Sequence, residues 1–139
     1  MAGYSATPLV KKIGIKEQFR VLLVNAPADF QDELQPLPAG VTFVTAARKS
    51  IDVVLLFVRS QSELDAQFPK LAAKLAPAGM LWVAWPKKSA GLPTDLSFNI
   101  VQQAGLAAGL VDTKVCAIDE VWSGLKFVIR VKDRPRRSV

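Results

Sequence analysis

Apolar residues along this chain fall into short dense runs separated by amphipathic stretches, the pattern of strands alternating with helices. Arg20-Val21-Leu22-Leu23-Val24 and Asp52-Val53-Val54-Leu55-Leu56-Phe57-Val58 are nearly unbroken. A strand reads this way when both its faces are covered, as in a parallel sheet. Val41-Thr42-Phe43-Val44-Thr45 alternates and supplies a strand between them. Met80-Leu81-Trp82-Val83-Ala84-Trp85 is a fourth strand, 113–119 a fifth and 125–131 a sixth. The segment 120–124 between the last two is too short for a crossover, so they form an antiparallel hairpin.

The intervening stretches carry helix signals. Thr7-Pro8 opens a short leader helix with Leu9, Val10 and Ile13 on its apolar face, and Gly14 ends it. Phe30 and Leu34 mark a brief helix within 28–35, broken by Pro36-Leu37-Pro38-Ala39-Gly40. Ser60 and Glu63 fit a capping box ahead of Leu64, Phe68, Leu71, Ala72 and Leu75 at helical spacing. Pro69 predicts a kink in that helix or its start. Thr94 or Asp95 caps a helix with Leu96, Ile100, Val101, Ala104, Ala107 and Ala108, stopped by Gly109. The expected fold is one α/β domain over 1–139. It is a three-layer Rossmann-like arrangement around a mostly parallel sheet of about six strands, ending in the hairpin. Residues 1–14 form a leader segment and 132–139 a basic tail.

Composition narrows the chemistry. There is no histidine among the 139 residues, which removes the commonest general base and metal ligand. Cys116 is the one cysteine, so no internal disulfide or thiolate zinc cluster can form. It reads as a buried strand residue. No apolar run approaches the ~20 residues of a membrane span, and no signal core stands at the N-terminus, so the expected location is the cytoplasm. The net charge is +6; Lys132, Arg134, Arg136 and Arg137 against Asp133 place +3 of it in the tail. A solubilising terminus is the favoured reading there, ahead of non-specific nucleic-acid contact.

Order and residues together resemble the class I methyltransferase fold in a trimmed form, from about Ile15 to Val131. The resemblance rests on Gly14-Ile15-Lys16 before Arg20-Val21-Leu22-Leu23, on Ile51-Asp52-Val53-Val54-Leu55-Leu56, on Leu75-Ala76-Pro77-Ala78-Gly79-Met80-Leu81-Trp82-Val83, and on the final hairpin. It implies that the last strand inserts between the fourth and fifth. The chain is also similar to a small bacterial family of unknown function. The hallmarks are Trp85-Pro86-Lys87-Lys88 with Gly91 and Thr94-Asp95-Leu96, then Ala104-Gly105-Leu106 with Leu110-Val111-Asp112. The third is Asp119-Glu120-Val121-Trp122-Ser123-Gly124-Leu125-Lys126-Phe127. That family brings no activity with it.

The methyltransferase resemblance would imply S-adenosylmethionine, which needs a glycine-rich loop after the first strand and an acidic residue ending the second. Here the first strand runs into Asn25-Ala26-Pro27-Ala28-Asp29-Phe30 and the second into Thr45-Ala46-Ala47-Arg48. Neither feature is present, which argues against this cofactor, although Asn25 and Asp29 could offer polar contacts. Ligands of open parallel sheets sit outside the carboxyl ends of the strands. The segments expected on that rim are 25–30, 46–50, 59–61, 85–95 and 119–122. Lys87 and Lys88 beside a helix opened by Thr94-Asp95 make a candidate anion pocket. Asp119, Glu120 and Trp122 face it from the hairpin, with Asn25, Arg59 and Trp85 completing the candidate set. Trp82 and Trp85, three apart, point to opposite faces. The expected role is a non-catalytic binding module for an anionic small molecule or a protein partner. The alternatives are a divergent S-adenosylmethionine-dependent methyltransferase and, last, nucleic-acid binding through the tail.

Overall fold

The computed structural model describes residues 7–45 and 50–134. The rim residues 46–49 and the tail beyond Arg134 lie outside the described residues. The elements run α1 (Leu9–Ile13), β1 (Arg20–Val24), α2 (Phe30–Glu33), β2 (Thr42–Val44), β3 (Ile51–Phe57), α3 (Gln61–Ala72), β4 (Leu75–Pro86), α4 (Phe98–Ala107), β5 (Leu110–Ala117) and β6 (Trp122–Ile129). The sheet order is β2-β1-β3-β4-β6-β5. Strands β1 to β4 pair in parallel, whereas β6 is antiparallel to both β4 and β5. The last strand thus inserts between the fourth and fifth, as the resemblance implies.

Two apolar layers cover the sheet. On one face α3 and α4 bury Leu64, Phe68, Leu71 and Val101 against Leu22, Val54, Leu56, Leu81, Val83, Trp85 and Phe127. On the other, α1 and α2 bury Val10, Ile13, Phe30 and Leu34 against Val21, Val53, Leu55, Phe57 and Trp82. The alternation puts Trp82 and Trp85 on opposite faces, as their spacing requires. Of the leader segment, α1 packs into the core through Val10 and Ile13. Gly14 in the left-handed region ends α1, and the Trp82 indole Nε1 donates to the Ile13 carbonyl at 2.9 Å.

Three element readings change. Pro69 does not start α3, which runs through it from the Ser60 cap. Pro69 is exposed; it withholds one N–H from the turn before it, but its own carbonyl still accepts from Ala73 N at 3.2 Å. Leu75 belongs to β4 rather than to α3. It pairs with Ile51, the chain then detours, and pairing resumes at Val53 and Met80. Gly79 permits the detour, because a Cβ there would stand 2.8 Å from the Ile51 carbonyl oxygen. Finally, α4 starts at Phe98, with Ser97 as its cap accepting from Ile100 N. Thr94 and Asp95 do not cap it.

Candidate functional site

The parallel strands reverse direction of winding at β1 and β3: from β1 the chain moves outward to β2, from β3 inward to β4. The crevice outside this switch point is where ligands of such sheets bind. Three of the sequence-predicted residues meet there. Asn25, Arg59 and Trp122, with Pro27, Phe57 and Glu63, line a hollow of about 160 Å³. Asn25 follows β1 with φ +59, a left-handed conformation that asparagine tolerates and most side chains resist. Its side-chain amide donates to the Phe57 carbonyl at 3.5 Å, tying the ends of β1 and β3 together. Trp122 is buried, its ring edge-to-face on Phe57 with centroids 5.1 Å apart, and Phe57 stands likewise on Phe30 at 4.9 Å. The hollow therefore has an aromatic floor and Arg59 on its exposed lip.

The Arg59 backbone is held at both its N–H and its carbonyl. Its N–H donates to Glu63 Oε1 at 3.0 Å, and Thr94 Oγ1 donates to its carbonyl at 2.6 Å. Next to it Gln61 N donates to Asp95 Oδ1 at 2.8 Å. Thr94 and Asp95 thus brace the start of α3 across the rim. The Asp95 carboxylate takes the place at a helix N-terminus that an anion would otherwise hold.

The expected centre at Lys87 and Lys88 is not assembled in this crevice. Lys87 N donates to the Val121 carbonyl at 2.8 Å, extending the β4–β6 ladder, and Lys88 opens a 3-10 turn that runs to Ala90. Neither lines the hollow. Trp85 is a core residue of the α3–α4 face. Asp119 folds back on its own turn, its Oδ1 accepting from Val121 N at 2.8 Å and Trp122 N at 2.9 Å. Glu120 lies exposed at the tip of the same turn.

Glu33 at the end of α2 was not legible as a partner of this turn. Partial burial, and then the neighbouring Asp119 carboxylate and a hydrogen bond with it, push the Glu33 carboxyl from 4.5 up to about 7. Its raised folded value means the native state holds this proton more tightly than the unfolded chain. The contribution to stability is fully present below about 4.5 and is lost as pH rises through about 7. Melting curves between about pH 5 and about pH 8 should show Glu33→Gln gaining on the native chain toward the alkaline end. The gain is small, because Glu33 is exposed and water screens the pair. Parallel curves for the two proteins would assign the pH dependence to other groups.

A second, shallower hollow of about 530 Å³ adjoins the first. It is lined by Leu23, Asn25, Ala26, Pro27, Asp29, Phe30, Gln31 and Asp32. Its lining carries Asp29 and Asp32 and no Lys or Arg, which makes it unsuited to an anion. Among the described residues, no group of three or more His, Cys, Asp or Glu is placed to hold a metal ion. No helix among them is long and apolar enough to cross a membrane.

Residues 28–131 match the model of a family described as Protein of unknown function (DUF3052). The chain belongs to that family. No curated protein matches it. Solved structures similar to this DUF3052 chain include several methyltransferases. A SAM dependent methyltransferase from Aquifex aeolicus shares 16% identity at a TM-score of 0.61, over 86% of each chain. Fibrillarin from Aeropyrum pernix, solved with natively bound S-adenosyl-L-methionine, shares 13% identity at 0.57, over 91% of this chain and 70% of its own. A precorrin-6y C5,15-methyltransferase from Geobacter metallireducens shares 9% at 0.60, over 87% and 85%. At these identities the likeness is one of fold. The DUF3052 match also spans all three hallmark segments and both sides of the rim, from Asp29 to Trp122.

Proposed function

We propose that this protein is a non-catalytic binding module that holds a small anionic group in the crevice between β1 and β3. The observation carrying this reading is the 160 Å³ hollow at the switch point, with Arg59 on its lip and Asn25 and Trp122 in its walls. Pockets for drug-sized ligands and cofactors run to roughly 300–1,000 Å³. A hollow little more than half the lower figure suits a carboxylate or phosphate head better than a nucleoside. A guanidinium gives such a group two parallel charge-assisted hydrogen bonds. The glycine-free 25–30 loop and the absence of histidine support a binding role over a catalytic one.

A divergent methyltransferase is the second reading, supported by two observations. The similar folds include one with the methyl donor bound, and the adjoining hollow of about 530 Å³ has the size of a cofactor site.

A thermal-shift screen with phosphate monoesters, small carboxylates, nucleotides, acyl-CoA and S-adenosylmethionine separates the two. An anionic compound should raise the melting temperature by several degrees. Arg59→Ala should weaken it about tenfold or more, the worth of a charge-assisted contact, while Lys87→Ala with Lys88→Ala should leave it intact. Saturable binding of S-adenosylmethionine would replace this reading with the second. A flat screen would overturn small-molecule binding and leave a protein partner for the same rim.

A further inference from the structure

A second concentration of charge lies on the α1-covered face of the hairpin, away from the switch-point crevice. In an antiparallel pair, residues directly opposite share a face. Lys114 stands opposite Lys126, and Cys116 opposite Gly124. Lys126 in turn stands opposite Trp82 of β4, which belongs to the layer under α1. Cys116 packs against the same layer. All of these side chains therefore emerge on one face, next to the C-terminal turn of α1. The Lys114 ammonium reaches that turn and donates to the Lys12 carbonyl at 3.0 Å.

Like charges placed directly across a strand pair repel, and among the described residues no carboxylate is numbered with the groups acting on Cys116 and Lys126. Asp112, the acidic residue of β5, is turned to the other face, where both its oxygens accept from Gln102 of α4. The groups acting on the Lys126 ammonium are its own burial, which lowers it, then Lys114, which lowers it further, with Cys116 opposing. Around the Cys116 thiol, burial raises its pKa, while Lys12, Lys114 and Lys126 all pull it down. Lys12 of α1, Lys114 of β5 and Lys126 of β6 thus all act on the Cys116 thiol, with Lys114 facing Lys126 across the strand pair and bonded to the backbone of Lys12. Lys126 is half-buried beside the fully buried Trp82, so its charge is held in a poorer solvent than a surface lysine would enjoy.

We propose that this face binds a compact, multiply charged oxyanion of the phosphate class, with Lys12, Lys114 and Lys126 as its cationic ligands and the Cys116 thiol at its edge. Lysine acts toward phosphate as a point charge, and three of them around the Cys116 thiol offset the charge of a phosphate or pyrophosphate group. The site stands apart from the crevice of Arg59 and Trp122. Lys126 is four residues beyond Trp122 along β6, about 13 Å at ~3.3 Å per residue.

The test is calorimetric titration with inorganic phosphate and with pyrophosphate, alongside the rate at which iodoacetamide alkylates Cys116. Saturable binding of either anion should slow alkylation, weaken as salt rises, and fall about tenfold or more in Lys126→Gln. Arg59→Ala should leave it unchanged, which separates this site from the crevice. Without anion, Lys126→Gln should melt higher than the native protein, because one of the facing charges is gone. A lysine kept only for packing would give the opposite sign. Absence of heat and of protection at millimolar pyrophosphate would overturn the proposal, as would binding that Lys126→Gln leaves intact. Binding of pyrophosphate but not phosphate assigns the site to a diphosphate-bearing ligand, and binding of both to a phosphate monoester or the free ion.

Discussion

Gly105→Ala should destabilise the protein by up to about 2 kcal/mol, although helix propensity alone predicts a gain of about 1 kcal/mol at an interior helical position. Gly105 is buried within α4, and a methyl group built there would overlap the ring of Phe127. That ring cannot yield. It is fully buried at the centre of β6 and stands edge-to-face on Phe68 of α3, with centroids 5.1 Å apart. The helix must therefore lift away from the sheet, and overpacking of this kind costs roughly 1–3 kcal/mol in a close-packed core, enough to outweigh the propensity term. Denaturant titration would show the midpoint falling with an unchanged slope. Phe127→Leu in the same background should recover part of the loss, because it vacates the space the methyl needs. A Gly105→Ala protein more stable than the native one would show that α4 is free to move.

Trp82→Phe is the second large effect. Trp82 is wholly buried, and its indole supplies the hydrogen-bond donor for the Ile13 carbonyl. That carbonyl belongs to the last turn of α1, where helices leave acceptors without internal partners. Phenylalanine keeps most of the apolar volume but removes the donor. A buried acceptor left without a partner costs roughly 1–3 kcal/mol, and the smaller ring leaves a cavity besides. A total of about 2–4 kcal/mol follows. Part of it should appear locally, as release of α1 from the sheet. Trypsin cleavage at Lys11 and Lys12 should accelerate well before the rest of the domain opens. Cleavage at the native rate would mean that Val10 and Ile13 hold α1 by packing alone.

What could be read in the chain and what could not divides along physical lines. The continuous apolar run of β3, covered on both faces, needs no knowledge of its neighbours to be recognised, and neither does the Ser60–Glu63 cap. Asn25, Arg59 and Trp122 could be placed on one rim because parallel strands deliver their following loops to the same end of the sheet. Which rim residues meet was not legible. Thr94 and Asp95 look like a local helix cap, yet their oxygens are used by Arg59 and Gln61, more than thirty residues earlier. Leu75 has helical spacing, but pairing with Ile51 claims it for the sheet. The Glu33–Asp119 pair joins a helix end to a hairpin turn distant in sequence, and nothing local in either segment announces it. Lys114 and Lys126 are separated by a turn whose register alone decides that they face each other.

The order of the strands also constrains how the molecule comes into being. Strand β5 contacts the sheet through β6 alone, and β6 is the last strand to be synthesised. While the ribosome is still making residues before Trp122, β4 offers an unfilled edge and β5 has no neighbour to join. The half of the sheet that carries β1 to β4 can pair in the order it emerges, but the aromatic floor of the crevice waits for Trp122. Final assembly is therefore an insertion between two segments already made, and the nascent chain carries an open strand edge until that step is complete.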